Sequence, residues 1–151
     1  MFVNTPGQDV CDTGVPGDGQ GCWGTGVGLG GLPAIYDRFV KNGSGQSLID
    51  TGLFGNPSAG LGSQLTSGNV FFDGPNANSA NSDNPPKLYA PNPFELASSI
   101  LHLDQSTYQN TPNRMMTPTY AGPTHHPGPI TLGILKDMGW NTVIYNTYLP
   151  I

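Results

Sequence analysis

The sequence has little charge and few bulky apolar side chains. Of its 151 residues, 5 are Lys or Arg and 10 are Asp or Glu, which gives a net charge of −5. A nucleic-acid-binding protein needs a cationic surface, so we expect no nucleic-acid partner. No run approaches the roughly 18–20 apolar residues of a membrane span. No basic segment precedes an apolar one near Met1, so no signal peptide is expected in this chain.

Glycine and proline are abundant instead, with 22 and 15 residues. Leu, Ile, Val and Phe together supply 33 residues, a fraction close to the roughly 20% below which highly charged chains are disordered. Because the net charge is small, we expect one folded, loop-rich domain with a small core. Most of its polarity comes from Asn, Thr, Ser and Gly, a composition that favours a secreted, extracellular protein.

The two cysteines, Cys11 and Cys22, lie in a glycine-rich stretch that we interpret as a loop over residues 1–32. In an oxidising compartment they can form a disulfide that closes a small ring; otherwise they remain reduced thiols. The constraint on the unfolded chain would contribute about 3 kcal/mol. No CxxC spacing or nearby histidine favours a zinc site at this pair.

Apolar spacing predicts short elements before residue 73. Residues 33–43 have Pro33 at the front and Asn-Gly behind, which predicts a short amphipathic helix, although the same residues also fit a strand. Residues 73–93 are rich in Asn and Pro and predict a long polar loop. Between these segments, apolar islands predict short strands at residues 47–49, 53–54, 65 and 70–72.

Residues 94–140 carry the clearest helix pattern. Pro129 can begin a helix and Gly139 can end it in a left-handed turn. We expect an α+β fold with short strands, long loops and this one clear C-terminal helix, whose apolar face packs against the segment carrying His102 and Met116. The helical repeat consists of Ile130, Ile134, Leu135 and Met138.

Metal-binding side chains are few. The only histidines are His102, His125 and His126. Adjacent histidines rarely chelate one ion, so His125 and His126 fit an exposed turn, and His102 by itself fits a structural histidine. Four oxygen-bearing side chains offer calcium ligands, although their spacing matches no known calcium loop. They are Asp73, Asn76, Asn78 and Asp83.

Three motifs follow one another in the last third of the chain. Ser98-Ser-Ile-Leu leads into His102, Met116-Thr-Pro118 follows, and Thr131 to Trp140 ends in Asp-Met-Gly-Trp. Together they resemble the C-terminal part of leishmanolysin-like zinc metallopeptidases, members of the metzincin group. The similarity is specific over residues 98–140 and looser over the preceding part of the chain.

The resemblance implies that His102 is the third ligand of a catalytic zinc ion. It also implies that Met116 is the Met-turn residue beneath the metal, with Met115 as the alternative if the register shifts by one. It assigns no role to Asp104 or Tyr120.

In this family the other two ligands and the general-base Glu lie in an HExxH helix. This sequence contains no HExxH and no histidine before His102. We therefore expect a single partial domain over residues 1–151 that begins just downstream of that helix. The zinc site is incomplete, the catalytic base is missing, and the chain alone should have no peptidase activity.

The predicted function is zinc-dependent endopeptidase activity on polypeptide substrates, with this chain as a fragment of the enzyme. The alternative is a non-catalytic secreted surface or adhesion module derived from a peptidase fold. That alternative explains the missing HExxH without a truncation.

Overall fold

The computed structural model describes residues 1–11, 17–25, 30–120 and 122–142. Parts of the expected glycine-rich loop, residues 12–16 and 26–29, lie outside the described residues. Two small antiparallel sheets pair β1 (Phe2–Val3) with β2 (Gly21–Cys22) and β3 (Val40–Asn42) with β4 (Val70–Phe72). The α-helices are α1 (Ala59–Leu65), α2 (Pro75–Ala80), α3 (Gln105–Tyr108) and α4 (Pro129–Asp137).

This mixture of helices and antiparallel strands is compatible with the α+β class. The described residues also include two 3₁₀ helices, Tyr36–Phe39 and Arg114–Met116. Beside the expected C-terminal helix, the described part of the chain contains three further short α-helices. None of the helices in the described ranges is long and apolar enough to cross a membrane.

The N-terminal region is held by a disulfide and by backbone pairing. Cys11 and Cys22 form a disulfide, the first of the two alternatives that the sequence left open. Gly21 exchanges backbone hydrogen bonds of 2.8 and 3.0 Å with Ser58 at the start of α1. A Cβ on Gly21 would lie 2.5 Å from the Gly62 nitrogen, so only glycine permits this close approach.

Residues 33–43 adopt both of the conformations that their pattern allowed. The segment is helical over Tyr36–Phe39 and then extended in β3. The change is driven by pairing with β4, since Val40 is opposite Phe72 in the sheet register. The Phe39 and Phe72 rings stack with their centroids 5.0 Å apart.

The predicted strands between residues 46 and 72 are confirmed only at Val70–Phe72. The prediction for Leu65 is wrong, because this residue ends α1. Ser58 caps the helix by accepting a hydrogen bond from the Leu61 nitrogen, and Leu61 and Leu65 are both fully buried one turn apart. Residues 47–49 contribute a single bridge, between Lys41 and Ser47, and residues 53–54 lie in a turn.

Part of the predicted polar loop is helical instead. Residues 75–80 form α2, and its first amide groups donate to Asp137 of α4, from Asn76 at 3.0 Å and from Ala77 at 2.9 Å. The two helices approach so closely at Gly133 that a Cβ there would lie 2.7 Å from the Ala77 Cα. The long-range cap at Asp137 is not encoded in local sequence, so the helix was missed.

The C-terminal helix is confirmed, with Pro129 in its first turn and Gly139 following it at φ +94°. Its buried face joins a cluster of apolar side chains that come from distant segments of the described residues. The fully buried members include Val40, Leu48, Leu61, Leu65, Val70, Phe72, Leu88 and Ile100.

Candidate functional site

His102 lies in a bend that is hydrogen-bonded to two other segments of the chain. Its carbonyl accepts a hydrogen bond from the Tyr89 nitrogen at 2.9 Å, and Leu103 donates to the Met116 carbonyl at 2.8 Å. These bonds place His102 beside the 3₁₀ helix that ends at Met116. Residues that are fourteen positions apart in the sequence are thereby brought together by the backbone.

The half-buried His102 ring has a defined orientation. Its Nδ1 lies 2.9 Å from the Ser98 carbonyl oxygen. Because a carbonyl can only accept, Nδ1 carries a proton, and the lone pair of the neutral ring is on Nε2. A metal-binding histidine is held in the same way, with one nitrogen donating to an oxygen and the other available to the metal.

His102 and Met116 line the same cavity of about 280 Å³. The remaining walls are largely apolar and include three residues from α4, so this helix packs against both segments as expected. The lining from α4 consists of Thr131, Ile134 and Leu135, and Met138 directly follows the last residue of the helix.

Met115 and Met116 differ in their burial and in what they contact. Met116 packs against the core cluster and lines the cavity, whereas Met115 is 41% exposed. Met116 therefore shares a cavity with His102, and Met115 lies at the surface. The predicted alternative at Met115 points to a surface residue.

Asp104 is engaged in structural contacts. Its Oδ2 accepts hydrogen bonds from the Ser106 hydroxyl and the Thr107 hydroxyl, both at 2.6 Å, and caps α3. Lys87 Nζ lies 3.7 Å from Oδ1. Burial alone would raise the pKa of the Asp104 carboxyl, but these hydrogen bonds and the Lys87 charge outweigh it and hold the pKa below its usual value.

His125 and His126 are exposed and neither lines the cavity of His102. In the part of the chain that the structure describes, no three His, Cys, Asp or Glu side chains are grouped so that they could hold a metal ion. His102 supplies one nitrogen, and a catalytic zinc ion usually takes three protein ligands. These residues therefore fit one ligand position and not a complete zinc site. Tyr120 is 82% exposed.

Two of the suggested calcium ligands, Asp73 and Asn76, are bound to other side chains. Asp73 is bound to Lys41 and, at 2.7 Å, to Asn78. The hydrogen bond from Lys41, followed by the one from Asn78, holds the pKa of Asp73 below its usual range. Asn76 is instead bound to Asp137.

The chain matches no protein-family model, no curated protein and no solved structure. The shared cavity of His102 and Met116 and the sequence resemblance are therefore the grounds for a proposed function.

Sequence reasoning missed two polar residues of the His102 cavity, Tyr36 and Thr131. The Tyr36 hydroxyl donates to the Ile100 carbonyl at 2.8 Å. Burial, and to a lesser extent the charge of Asp37, raises the pKa of Tyr36, so its hydroxyl stays protonated. Thr131 is 8% exposed, and its hydroxyl has no hydrogen-bond partner among the described residues. Both fitted apolar helix patterns, so no local signal marked them as polar lining.

Proposed function

We propose that this chain is the part of a leishmanolysin-like, metzincin-type zinc endopeptidase that supplies the third zinc ligand and the Met-turn. The observation that carries the proposal is the common cavity of His102 and Met116. The sequence motif requires these two residues to lie close together in the fold. A cavity that both residues line meets this requirement.

The proposed role of His102 is to offer Nε2 as a ligand while the Ser98 carbonyl fixes the ring through Nδ1. Met116 forms part of the floor beside the ring. In such an enzyme, zinc supplies Lewis-acid activation of water for attack on a peptide bond. The general-base Glu and two further ligands are absent from this sequence, so no hydrolytic step follows from these residues alone.

The ligand role can be tested by histidine nitrogen NMR with zinc iminodiacetate as the probe. The chelator occupies several zinc positions and leaves room for a single imidazole, so it substitutes for the missing ligands. In the variant His125→Gln with His126→Gln, His102 is the sole histidine. The expected result is a zinc-dependent shift of His102 Nε2, with Nδ1 remaining protonated.

The matched control adds His102→Gln and should remove the signal. A shift at Nδ1, or no shift at a probe concentration that saturates free imidazole, would contradict the proposed ligand role. Retained amide chemical shifts elsewhere in the chain check that the variants are folded.

The activity itself is tested on a longer product. DNA immediately upstream of the Met1 codon should encode an in-frame HExxH followed by Gly and an apolar pair. The protein expressed from that longer frame should cleave unfolded polypeptides and lose activity with a chelator. His102→Ala should reduce cleavage by more than about 100-fold, the upper range for loss of an outer-shell partner. The chain of residues 1–151 should not cleave.

The second candidate function is a non-catalytic secreted surface module. It is favoured by one observation: the described residues hold no three-ligand group. A stop codon upstream of Met1 before any HExxH, together with no response of His102 to the zinc probe, would favour this candidate and contradict the peptidase proposal.

A further inference from the structure

A second depression lies on the surface between residues 110–114 and residues 123–128. Its volume is about 520 Å³, and it shares no residue with the His102 cavity. All but one of its lining side chains are polar. They are Asn110, Thr111, Pro112, Arg114, Thr124 and His126.

Arg114 brings a positive charge to this depression without a matching acid. Among the described residues, the side chains of Lys41 and Lys87 are paired with carboxylates, and no carboxylate lies within 4.0 Å of Arg114. The Arg114 side chain donates a long hydrogen bond from Nη2 to the Pro123 carbonyl at 3.4 Å. A guanidinium has five N–H donors, so most of its hydrogen-bonding capacity remains for a ligand.

His126 supplies a donor on the same depression. Its Nδ1 accepts a hydrogen bond from the Gly128 nitrogen at 3.0 Å. Since Nδ1 is used as an acceptor, the proton of the ring is on Nε2, which is left as an N–H donor. An arginine and an imidazole N–H on one surface provide the chemistry that binds an oxyanion.

The two walls of the depression are fixed against each other. Asn113 is buried, and its Oδ1 accepts a hydrogen bond from the Ile130 nitrogen at 3.0 Å. Gly128 has φ +90°, and a Cβ there would lie 2.6 Å from the same oxygen. Because little ordering is left to be done, a ligand would lose less free energy to rearrangement on binding.

We propose that this depression binds the oxyanion group, a carboxylate or a phosphate, of a small ligand. The Arg114 guanidinium pairs with the anion through its fork of N–H groups, and His126 Nε2 donates a further hydrogen bond. The site goes beyond the proposed peptidase function and does not depend on zinc.

The test is an amide and arginine side-chain NMR titration of residues 1–151 with three probes. These are inorganic phosphate, a short acetylated peptide with a free C-terminal carboxylate, and the same peptide amidated. Shifts should centre on residues 110–114 and 123–128. Phosphate binding alone, or binding of the free peptide alone, supports the site and identifies the source of the oxyanion; the amidated peptide should not bind.

Arg114→Gln should weaken binding at least about tenfold, the effect of losing a hydrogen bond to a charged group. Arg38→Gln removes an exposed arginine outside the depression and should leave affinity unchanged. Arg114→Lys keeps the charge without the fork and should bind with intermediate affinity, which separates a specific site from a folding defect. His126→Gln should weaken binding less than Arg114→Gln, and the matched His125→Gln should not weaken it.

Two results would overturn the proposal. One is the absence of localised shifts with both phosphate and the free peptide. The other is an equal loss of affinity in Arg38→Gln and Arg114→Gln, which would indicate diffuse charge attraction and no site.

Discussion

The N-terminal region and the helix pair α2–α4 are held together in different ways. In the N-terminal region the strands β1 and β2 have two residues each. The disulfide and main-chain bonds such as the 2.9 Å contact from the Asn4 nitrogen to the Gln20 carbonyl connect them. In the helix pair, α2 and α4 approach through Ala77 and Gly133, and Asp137 caps the shorter helix.

The difference follows from the side chains that each region has available. A glycine-rich stretch has little side-chain surface to bury, so a covalent link and hydrogen-bonded backbone add to the burial of Met1 and Val3. A helix with an apolar repeat can bury a face, and small residues at the contact let its backbone approach a neighbour. The disulfide and main-chain hydrogen bonds therefore stabilise the N-terminal region, and close helix packing stabilises the α2–α4 pair.

Removing the disulfide should have the largest effect. Cys11→Ala with Cys22→Ala should lower the free energy of unfolding by about 3 kcal/mol, because the unfolded chain regains the freedom of the closed loop. Urea denaturation of the oxidised protein and the double variant measures the change. Amide exchange should accelerate in β1 and β2 more than in α4; uniform acceleration would show that the two regions are not distinct.

Adding one methyl group to the helix contact should have the next largest effect. Gly133→Ala places a Cβ 2.7 Å from the Ala77 Cα, and such overpacking costs about 1–3 kcal/mol. The matched control is Gly60→Ala at an exposed position of α1, where the added Cβ would lie 3.8 Å from its nearest neighbour, the Ser58 Oγ. That change should stabilise the protein by about 0.5–1 kcal/mol, because Ala is the better helix former. Thermal denaturation of both variants compares them, and equal effects would contradict a steric contact.

The smallest expected effect is electrostatic, at Asp104, which caps α3 outside both regions. Its folded-state pKa is lowered, so its stabilisation is present above the unfolded pKa and is lost as the pH falls through the folded pKa, below about 4. Asp104→Asn keeps a capping oxygen but removes the charge, and should cost about 1 kcal/mol at pH 7. Urea midpoints between pH 2 and 7 should depend less on pH in this variant. The exposed control Asp83→Asn should retain the wild-type profile.

Local sequence predicted the elements whose signals are also local. The apolar repeat between Pro129 and Gly139 marked α4, and the run Val70–Phe72 marked β4. It could not predict α1 or α2, which are rich in Gly, Ser and Asn. These helices form because Leu61 and Leu65 are buried and because Asp137 caps α2 from a distant segment.

The candidate site divides in the same way. The motif around His102 and Met116 was visible in the sequence, and so was the absence of an HExxH and of any histidine before His102. No sequence pattern indicated that Tyr36 and Thr131 line the same cavity, or that Arg114 and His126 share a depression. These side chains come from segments that meet only after folding.

The sequence by itself determined the mixed composition of short elements, the terminal helix and the two cysteines within reach of each other. The tertiary structure decided which turns became helices, where residues 33–43 changed from helix to strand, and which polar side chains face one another. The physical reason is that helix and strand periodicity act over a few neighbouring residues. Caps, strand pairing and cavity walls depend on contacts between residues far apart in the chain, whose partners no local pattern specifies.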